Sequence, residues 1–453
     1  MTGPLVQNNV LIGEDGWLYL YGGGHKEFDH FLNKRQPTPA SVANFVDNFQ
    51  ARQQYCNARG IGFAHFVLPS KPAVMPEHVP SPYRQGLDSL FERHFRPAFG
   101  DKTPANLRYS RDALLAAKDM APVFLKTDTH NNAFGALHIA KDILRHFDLP
   151  SDIEDFFFQR EGWALGDLSI MLGRQDREPI LHLEEKHNHI KVFDNLPFLS
   201  SNTGNVLVMN NLASVTTKRC VVIGDSFIKS GLRYLGMVFR DILYVRGPYF
   251  QSDVIELFGP DFVLCSNTER YLATVMPDRD GHSLMLATYG DQTYKPTPEL
   301  VDAFKAQLSF VHHPQRYAEW TGRFHDDTMK WPGLGDCLLR HIAVIDKSKG
   351  SFEALTQTPR MIFDHLPMPA EGAVKVELSI TVAEASTLRL FYSGKTKDER
   401  HFSSARSLTR QLGAGANLVQ FQLDAKACGR RMRIDPVNQP GAFTIERISI
   451  QPV

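Results

Sequence analysis

Residues 218–227 (KRCVVIGDSF) form an apolar run that ends in Gly224-Asp225-Ser226-Phe227, and residues 227–241 (FIKSGLRYLGMVFRD) continue as an amphipathic one. A serine at such a turn could act as a nucleophile. The strand before it would hold the hydroxyl rigidly. The helix after it would set backbone N–H groups and the positive end of the helix dipole beside a developing oxyanion. Gly224 permits a sharp turn, and Gly224 and Asp225 are expected to border bound substrate. The same residues also suit a plainer job, because serine caps helix N-termini well. On this turn alone both readings stand.

A serine nucleophile needs a base. Residues 126–131 (KTDTHN) follow an apolar run, 121–125 (APVFL), and precede a helical pattern that starts at Ala133. His130 could take the proton from Ser226, and Asp128 could orient the imidazole and stabilise it once charged. A spacing of two lets both side chains leave an extended turn in the same direction. The local alternative is that Asp128 or Thr129 caps the following helix, with His130 on the surface.

A second polar cluster comprises His182, Glu184, Glu185, His187 and His189. Such residues can ligate a divalent metal and would make a metal-dependent hydrolase. No HExxH pattern or cysteine pair accompanies them, so the segment reads as solvated and no metal site is expected. The Gly-Gly-Gly at 22–24 lacks the Lys-Ser/Thr of a phosphate loop and the spacing of a dinucleotide fingerprint.

Both chemical turns need a scaffold that ends strands at helices. Residues 62–68 (GFAHFVL) read as a strand, and residues 133–147 as a helix with Ala136, Ala140, Ile143, Leu144 and Phe147 on one face. From 218 to 266 the pattern is strand, helix, strand (DILYVR), short helix (FQSDVIELFG), strand (PDFVLCS). This βαβαβ unit implies a parallel, doubly wound sheet, which gathers ligands at the carboxyl ends of its strands. Arg246, Tyr249 and Arg270 lie near strand ends and are candidates for a second oxyanion donor. From about residue 340 the pattern changes. Val374, Val376, Leu378, Ile380 and Val382 alternate with polar residues, as do Val419, Phe421 and Leu423. Short alternating strands with Gly and Pro between them imply an all-β sandwich. The expected division is residues 1–330 and 331–453. Phe391, Tyr392 and Phe402 in the second part could stack on sugar rings, although packing inside the sandwich would use most of them.

With 50 basic and 50 acidic residues among 453, the formal charge is zero and no basic run stands out. That excludes a nucleic-acid binder held by bulk charge. The cysteines number five, scattered and without CxxC spacing, as expected of reduced thiols. No segment reaches membrane-spanning length and no basic, apolar leader opens the chain. The expected location is the cytoplasm, with the periplasm as the alternative for a chain whose signal has been removed.

Taken in order, the motifs resemble the alginate O-acetyltransferase family (AlgX/AlgJ-like), a permuted branch of the SGNH hydrolases. The resemblance covers roughly residues 9–275. It includes Gly13-Glu14-Asp15-Gly16-Trp17-Leu18, Pro69-Ser70-Lys71-Pro72, Thr127-Asp128-Thr129-His130, Gly166-Asp167-Leu168-Ser169, Gly224-Asp225-Ser226-Phe227 and Pro260-Asp261-Phe262-Val263, followed by Glu269-Arg270-Tyr271-Leu272. It implies an SGNH-like three-layer α/β/α domain with a parallel sheet, followed by a jelly-roll-like sandwich of carbohydrate-binding type. It assigns Ser226 as nucleophile, His130 as base and Asp128 as its partner; Arg270, from its place near a strand end, is a candidate to bind substrate. The implied activity is O-acetyl transfer to a polysaccharide or oligosaccharide, with ester hydrolysis by the same residues as the alternative. A non-catalytic glycan-binding protein is the reading from a different class. No tightly bound cofactor is implied; the acetyl donor would be a co-substrate such as acetyl-CoA. The family often has Trp after Asp-x-His, whereas Asn131 stands here, which points to an altered acceptor-sugar subsite.

Overall fold

The computed structural model describes residues 5–186, 189–202, 204–284, 296–324, 328–331, 334–363, 366, 368–369, 371–396 and 402–452. The chain divides into two compact units, residues 1–313 and 314–453. The division falls before the expected 330 because a helix, Pro314–Phe324, packs on the strand Ile342–Asp346 of the second unit.

A seven-stranded sheet forms the centre of the first unit. In chain order its strands are β1 (Gly62–Leu68), β2 (Leu107–Tyr109), β3 (Lys191–Asp194), β4 (Val206–Asn210), β5 (Arg219–Gly224), β6 (Asp241–Arg246) and β7 (Phe262–Thr268). Their spatial order is β2-β1-β7-β5-β6-β4-β3. From β2 to β6 all neighbours are parallel. β4 then pairs antiparallel with β6, and β3 with β4. The sheet is therefore mixed, not wholly parallel as expected. Parallel neighbours need long crossover connections, whereas strands added at an edge without one run antiparallel.

Successive strand residues feed opposite faces. Cys220, Val222, Ile242 and Leu264 join one core with α2 (Arg111–Lys118), α3 (Ala133–His146) and α4 (Ser226–Leu235). Val221, Ile223, Leu243 and Val263 join another with α1 (Pro39–Asn57), α5 (Ser252–Phe258) and α6 (Pro298–Leu308). That two-residue alternation between two apolar faces gives the three layers. The direction of winding across the sheet reverses at β5. α4 leads from β5 to β6 on one face, and α5 leads back to β7, on the other side of β5, over the opposite face. Such a reversal opens a crevice at the carboxyl ends of the strands, and Ser226 sits there.

The opposite end of β5 is pinned by charge. Arg219 Nη1 bonds Asp241 Oδ2 at 2.6 Å, with both side chains almost fully buried. Asp241 also accepts from Asn210 at 2.6 Å and Gln307 at 2.7 Å. Removing Arg219 leaves the buried Asp241 carboxylate with the Arg240 contact at 3.3 Å and the two amide donors, without its closest cation. Arg219→Ala is expected to lower stability by about 3 kcal/mol, read from a urea midpoint.

Among the described residues, the second unit holds two antiparallel sheets of six and five strands. They share one core in which Val376, Leu378 and Phe421 of one sheet meet Leu388, Leu390 and Ile434 of the other. The all-β sandwich is present as expected. Phe391, a candidate sugar platform, is buried in it at 5% exposure; Tyr392 and Phe402 are half-buried.

Candidate active site

The segment between Val123 and α3 is tied down at nearly every residue. Asn132 caps α3, accepting from Gly135 N–H at 2.9 Å, and its amide donates to the Pro122 carbonyl at 2.6 Å. Asn131 is buried, and its amide donates to the Val123 carbonyl at 3.4 Å. The side chain expected to line an acceptor subsite is thus turned into the protein, where it shapes the loop. The cap of α3 is neither Asp128 nor Thr129, which leaves both free for other work.

That work is at His130. Asp128 Oδ1 accepts from His130 Nδ1 and from its backbone N–H, each at 2.8 Å. A carboxylate can only accept, so Nδ1 carries the proton and Nε2 keeps its lone pair. Nε2 lies 2.9 Å from Ser226 Oγ. Burial pushes the Asp128 carboxyl up, but the His130 ring and backbone donors, with Asp167 N–H, outweigh it and hold the group at about 2. Asp128 therefore faces the imidazole as an anion.

The Ser226 turn shows a similar division of labour. Asp225, not Ser226, caps α4: its Oδ1 accepts from Phe227 N–H at 2.9 Å. Its Oδ2 accepts from Thr268 N–H at 2.6 Å, tying the turn to the end of β7. Gly224 is required by closeness, not by a left-handed turn. A Cβ there would meet Ile228 and the Ser266 carbonyl, both at 2.7 Å. Phe227 packs its ring on His130, centroids 4.6 Å apart, and the Arg270 guanidinium lies 4.9 Å over the same ring. Arg270 is buried; burial pulls its pKa down, but Glu27 and Tyr271 hold it above its usual range. Among the described residues its Nε has no hydrogen-bond partner. Arg246 ends β6 beside Gly224, while Tyr249 packs on Gly281.

Two residues had no role in the sequence reading. Asp167 accepts Thr129 N–H at 2.7 Å and Thr129 Oγ1 at 2.6 Å, and its N–H donates to Asp128 Oδ2 at 3.0 Å. Its carboxylate also stands 3.7 Å from His130 Nδ1. Lys71 is buried and donates to the carbonyls of Leu18 at 2.8 Å and Lys126 at 3.0 Å, which joins the N-terminal strands to the segment that carries Asp128 and His130. Burial lowers its pKa to about 7 against the pull of Asp128, Glu178 and other carboxylates. The signals were a charged residue in each of two short motifs, GDLS and PSKP. Asp167→Asn is expected to lower kcat about tenfold by weakening charged hydrogen bonds to the Thr129 turn. KM should change little, and a steady-state assay separates the two constants.

Among the described residues, the His182 cluster does not gather. Glu184 pairs with Arg160 at 2.7 Å and Glu185 with Arg233 at 3.1 Å. His187 lies outside the described residues. Among the described residues, acidic and imidazole donors within 4.8 Å of one another occur at Asp128, His130 and Asp167. All five cysteines are buried and unpaired. No helix among the described residues is long and apolar enough to cross a membrane.

Comparison with known proteins agrees with the resemblance seen in the motifs. Residues 10–185 match a family described as "SGNH hydrolase-like domain, acetyltransferase AlgX". The matched segment contains Asp128, His130 and Asp167 and ends before Ser226. The chain is 33% identical over 138 residues to the probable alginate O-acetylase AlgJ of Pseudomonas aeruginosa, covering 29% of this chain. That match spans 31% of the relative's length. Among solved structures, the O-acetyltransferase domain of Pseudomonas putida AlgJ aligns with 62% of this chain and 98% of its own, at 18% identity and a TM-score of 0.39. A DHHW family protein from Eubacterium siraeum aligns with 60% of this chain and 94% of its own, at 15% identity and a TM-score of 0.44.

Proposed function

We propose that the chain is a serine-dependent O-acetyltransferase acting on a polysaccharide or oligosaccharide, a reading supported by the match of residues 10–185 to the SGNH hydrolase-like domain of acetyltransferase AlgX. The observation that carries this reading is the line Asp128–His130–Ser226, with both hydrogen bonds under 3 Å, combined with helix caps supplied by other residues. Ser226 and Asp128 have no capping job to explain them.

In the proposed reaction, His130 Nε2 takes the Ser226 proton as Oγ attacks the acetyl carbonyl. Asp128 stabilises the imidazolium. Phe227 N–H is occupied by Asp225, so the Ser226 N–H at the start of α4 is the backbone donor proposed for the oxyanion, with Arg270 as the charged group nearby. His130 then protonates the leaving group. A sugar hydroxyl attacks the acetyl-Ser226 ester, again with His130 as base. No tightly bound cofactor takes part; the donor is a co-substrate, a soluble thioester such as acetyl-CoA if the chain works in the cytoplasm. In the periplasm, the alternative, another acetyl carrier would take that place. The C-terminal sandwich is proposed to hold the glycan.

Water in place of the sugar would give an esterase with the same residues. The test is an acetyl-transfer assay over a panel of oligosaccharides with product mass as readout. Acetylated oligosaccharide is the expected product. Release of free acetate alone, whatever sugar is offered, assigns hydrolysis instead.

A further inference from the structure

The peptide that joins Asp225 to Ser226 carries two polar groups with separate surroundings. Its N–H belongs to Ser226, the first residue of α4, where an N–H has no intrahelical partner. Its C=O belongs to Asp225. The Tyr244 hydroxyl donates to that carbonyl at 2.9 Å and lies 3.4 Å from the Gly224 carbonyl. Gly224 already accepts from Gly247 N–H at 3.2 Å, so Asp225 is the main acceptor for Tyr244.

Strand register puts Tyr244 in that place. β6 runs parallel to β5, with Tyr244 beside Val222. Both side chains join the core that also takes Phe227, Ile228 and Leu232 of α4. Tyr244 is fully buried, and a buried phenol hydroxyl needs a partner. Burial pushes its pKa up, against the pull of Arg246, so it keeps its proton and donates. The Asp225 carboxylate is engaged elsewhere, with Phe227 N–H and Thr268 N–H. Among the described residues every peptide bond is trans. In a trans peptide the C=O and the N–H point in opposite directions. Drawing the Asp225 carbonyl toward Tyr244 therefore turns the Ser226 N–H the other way.

We propose that Tyr244 is a positioning residue for the oxyanion site: its hydroxyl, bonded to the Asp225 carbonyl, aims and polarises the Ser226 N–H. The inference rests on Ser226 being the nucleophile and on its own N–H being the oxyanion donor. As Oγ bonds the acetyl carbon, the carbonyl π pair moves onto oxygen and its negative charge grows. A donor on an amide C=O draws electron density toward that oxygen, which makes the N–H of the same amide a stronger donor. Hydrogen bonds linked in this way reinforce one another, most where water is excluded. Tyr244 acts through the peptide and not on the substrate. It adds pre-alignment, so the N–H need not reorient as charge develops.

Two variants of the whole chain test this, with 4-nitrophenyl acetate as the acyl donor and nitrophenolate release as the readout of acetyl-Ser226 formation. Tyr244→Phe removes the hydroxyl and keeps the ring. It is expected to lower the limiting acylation rate about tenfold, with little change in the ester concentration that half-saturates it. Replacing Tyr244 by 3,5-difluorotyrosine keeps the hydroxyl and makes it a stronger donor. Acylation is then expected to run faster than in the native protein. A purely structural hydroxyl would leave the native and difluorinated proteins equal while Tyr244→Phe is slow. That result overturns the proposal, as does a native rate in Tyr244→Phe or a slower rate in the difluorinated protein. The difluorinated protein decides the matter alone if Tyr244→Phe does not fold. Each of these outcomes leaves the nucleophile standing. No acetyl group on Ser226 in the native protein removes both readings.

Discussion

Ser226→Ala is expected to abolish acetyl transfer, with kcat/KM falling by about 10³–10⁶-fold, while the urea midpoint stays where it was. The two readouts separate the roles open to a serine at a strand-to-helix turn. A capping serine would lower stability by about 1 kcal/mol when truncated and would leave the chemistry largely intact. Here Asp225 accepts from Phe227 N–H, and the Ser226 hydroxyl is engaged by His130 Nε2. Truncation would therefore remove the proposed attacking atom and spare the cap. A shifted midpoint with retained turnover would reverse the assignment.

Asp128→Asn is expected to lower kcat by about 10⁴-fold. The carboxylate fixes the proton on Nδ1 and so leaves Nε2 free to accept from Ser226. An amide can present its NH₂ to Nδ1 instead, which selects the wrong tautomer and loses the charge opposite the imidazolium. The same change has a signature in acid. The Asp128 carboxyl is held at about 2, below its usual value of 3.8. Its ionised form is therefore favoured by folding, and that stability is fully present above about pH 4. It is lost as pH falls through 2, and amounts to about 2 kcal/mol. Unfolding followed from pH 5 to pH 2 should show this component in the unchanged protein and lack it in Asp128→Asn.

The βαβαβ unit around Ser226 was legible because short apolar runs, each closed by a polar or glycine turn, determine strands almost locally. β6 was read to its exact ends from DILYVR. α4 is shorter than its amphipathic pattern implied. It stops at Leu235 with Gly236 as its cap, and the chain beyond turns toward β6. The antiparallel edge strands were not legible, since a strand's direction depends on how its connection runs and not on its own residues. Ser226 could be named because it sits at a strand-to-helix turn, and Asp128 and His130 because they stand just before α3, although the run ahead of them forms an isolated bridge at Phe124 in place of the expected strand. Asp167 and Lys71 could not, since their roles arise only when distant segments pack. Asp167 reaches Thr129 across 38 positions, and Lys71 reaches Lys126 across 55. Asn131 was expected at an acceptor subsite from its place in the motif; the structure buries it beside the Phe124 bridge, which the motif did not show.

The central claim is covalent, so the most direct measurement is the intact mass of the protein after incubation with 4-nitrophenyl acetate, followed by peptide mapping. The account predicts a single acetyl group on Ser226, absent from Ser226→Ala and slow to form in His130→Ala. An unchanged mass in the native protein, or an acetyl group that persists in Ser226→Ala, would contradict it.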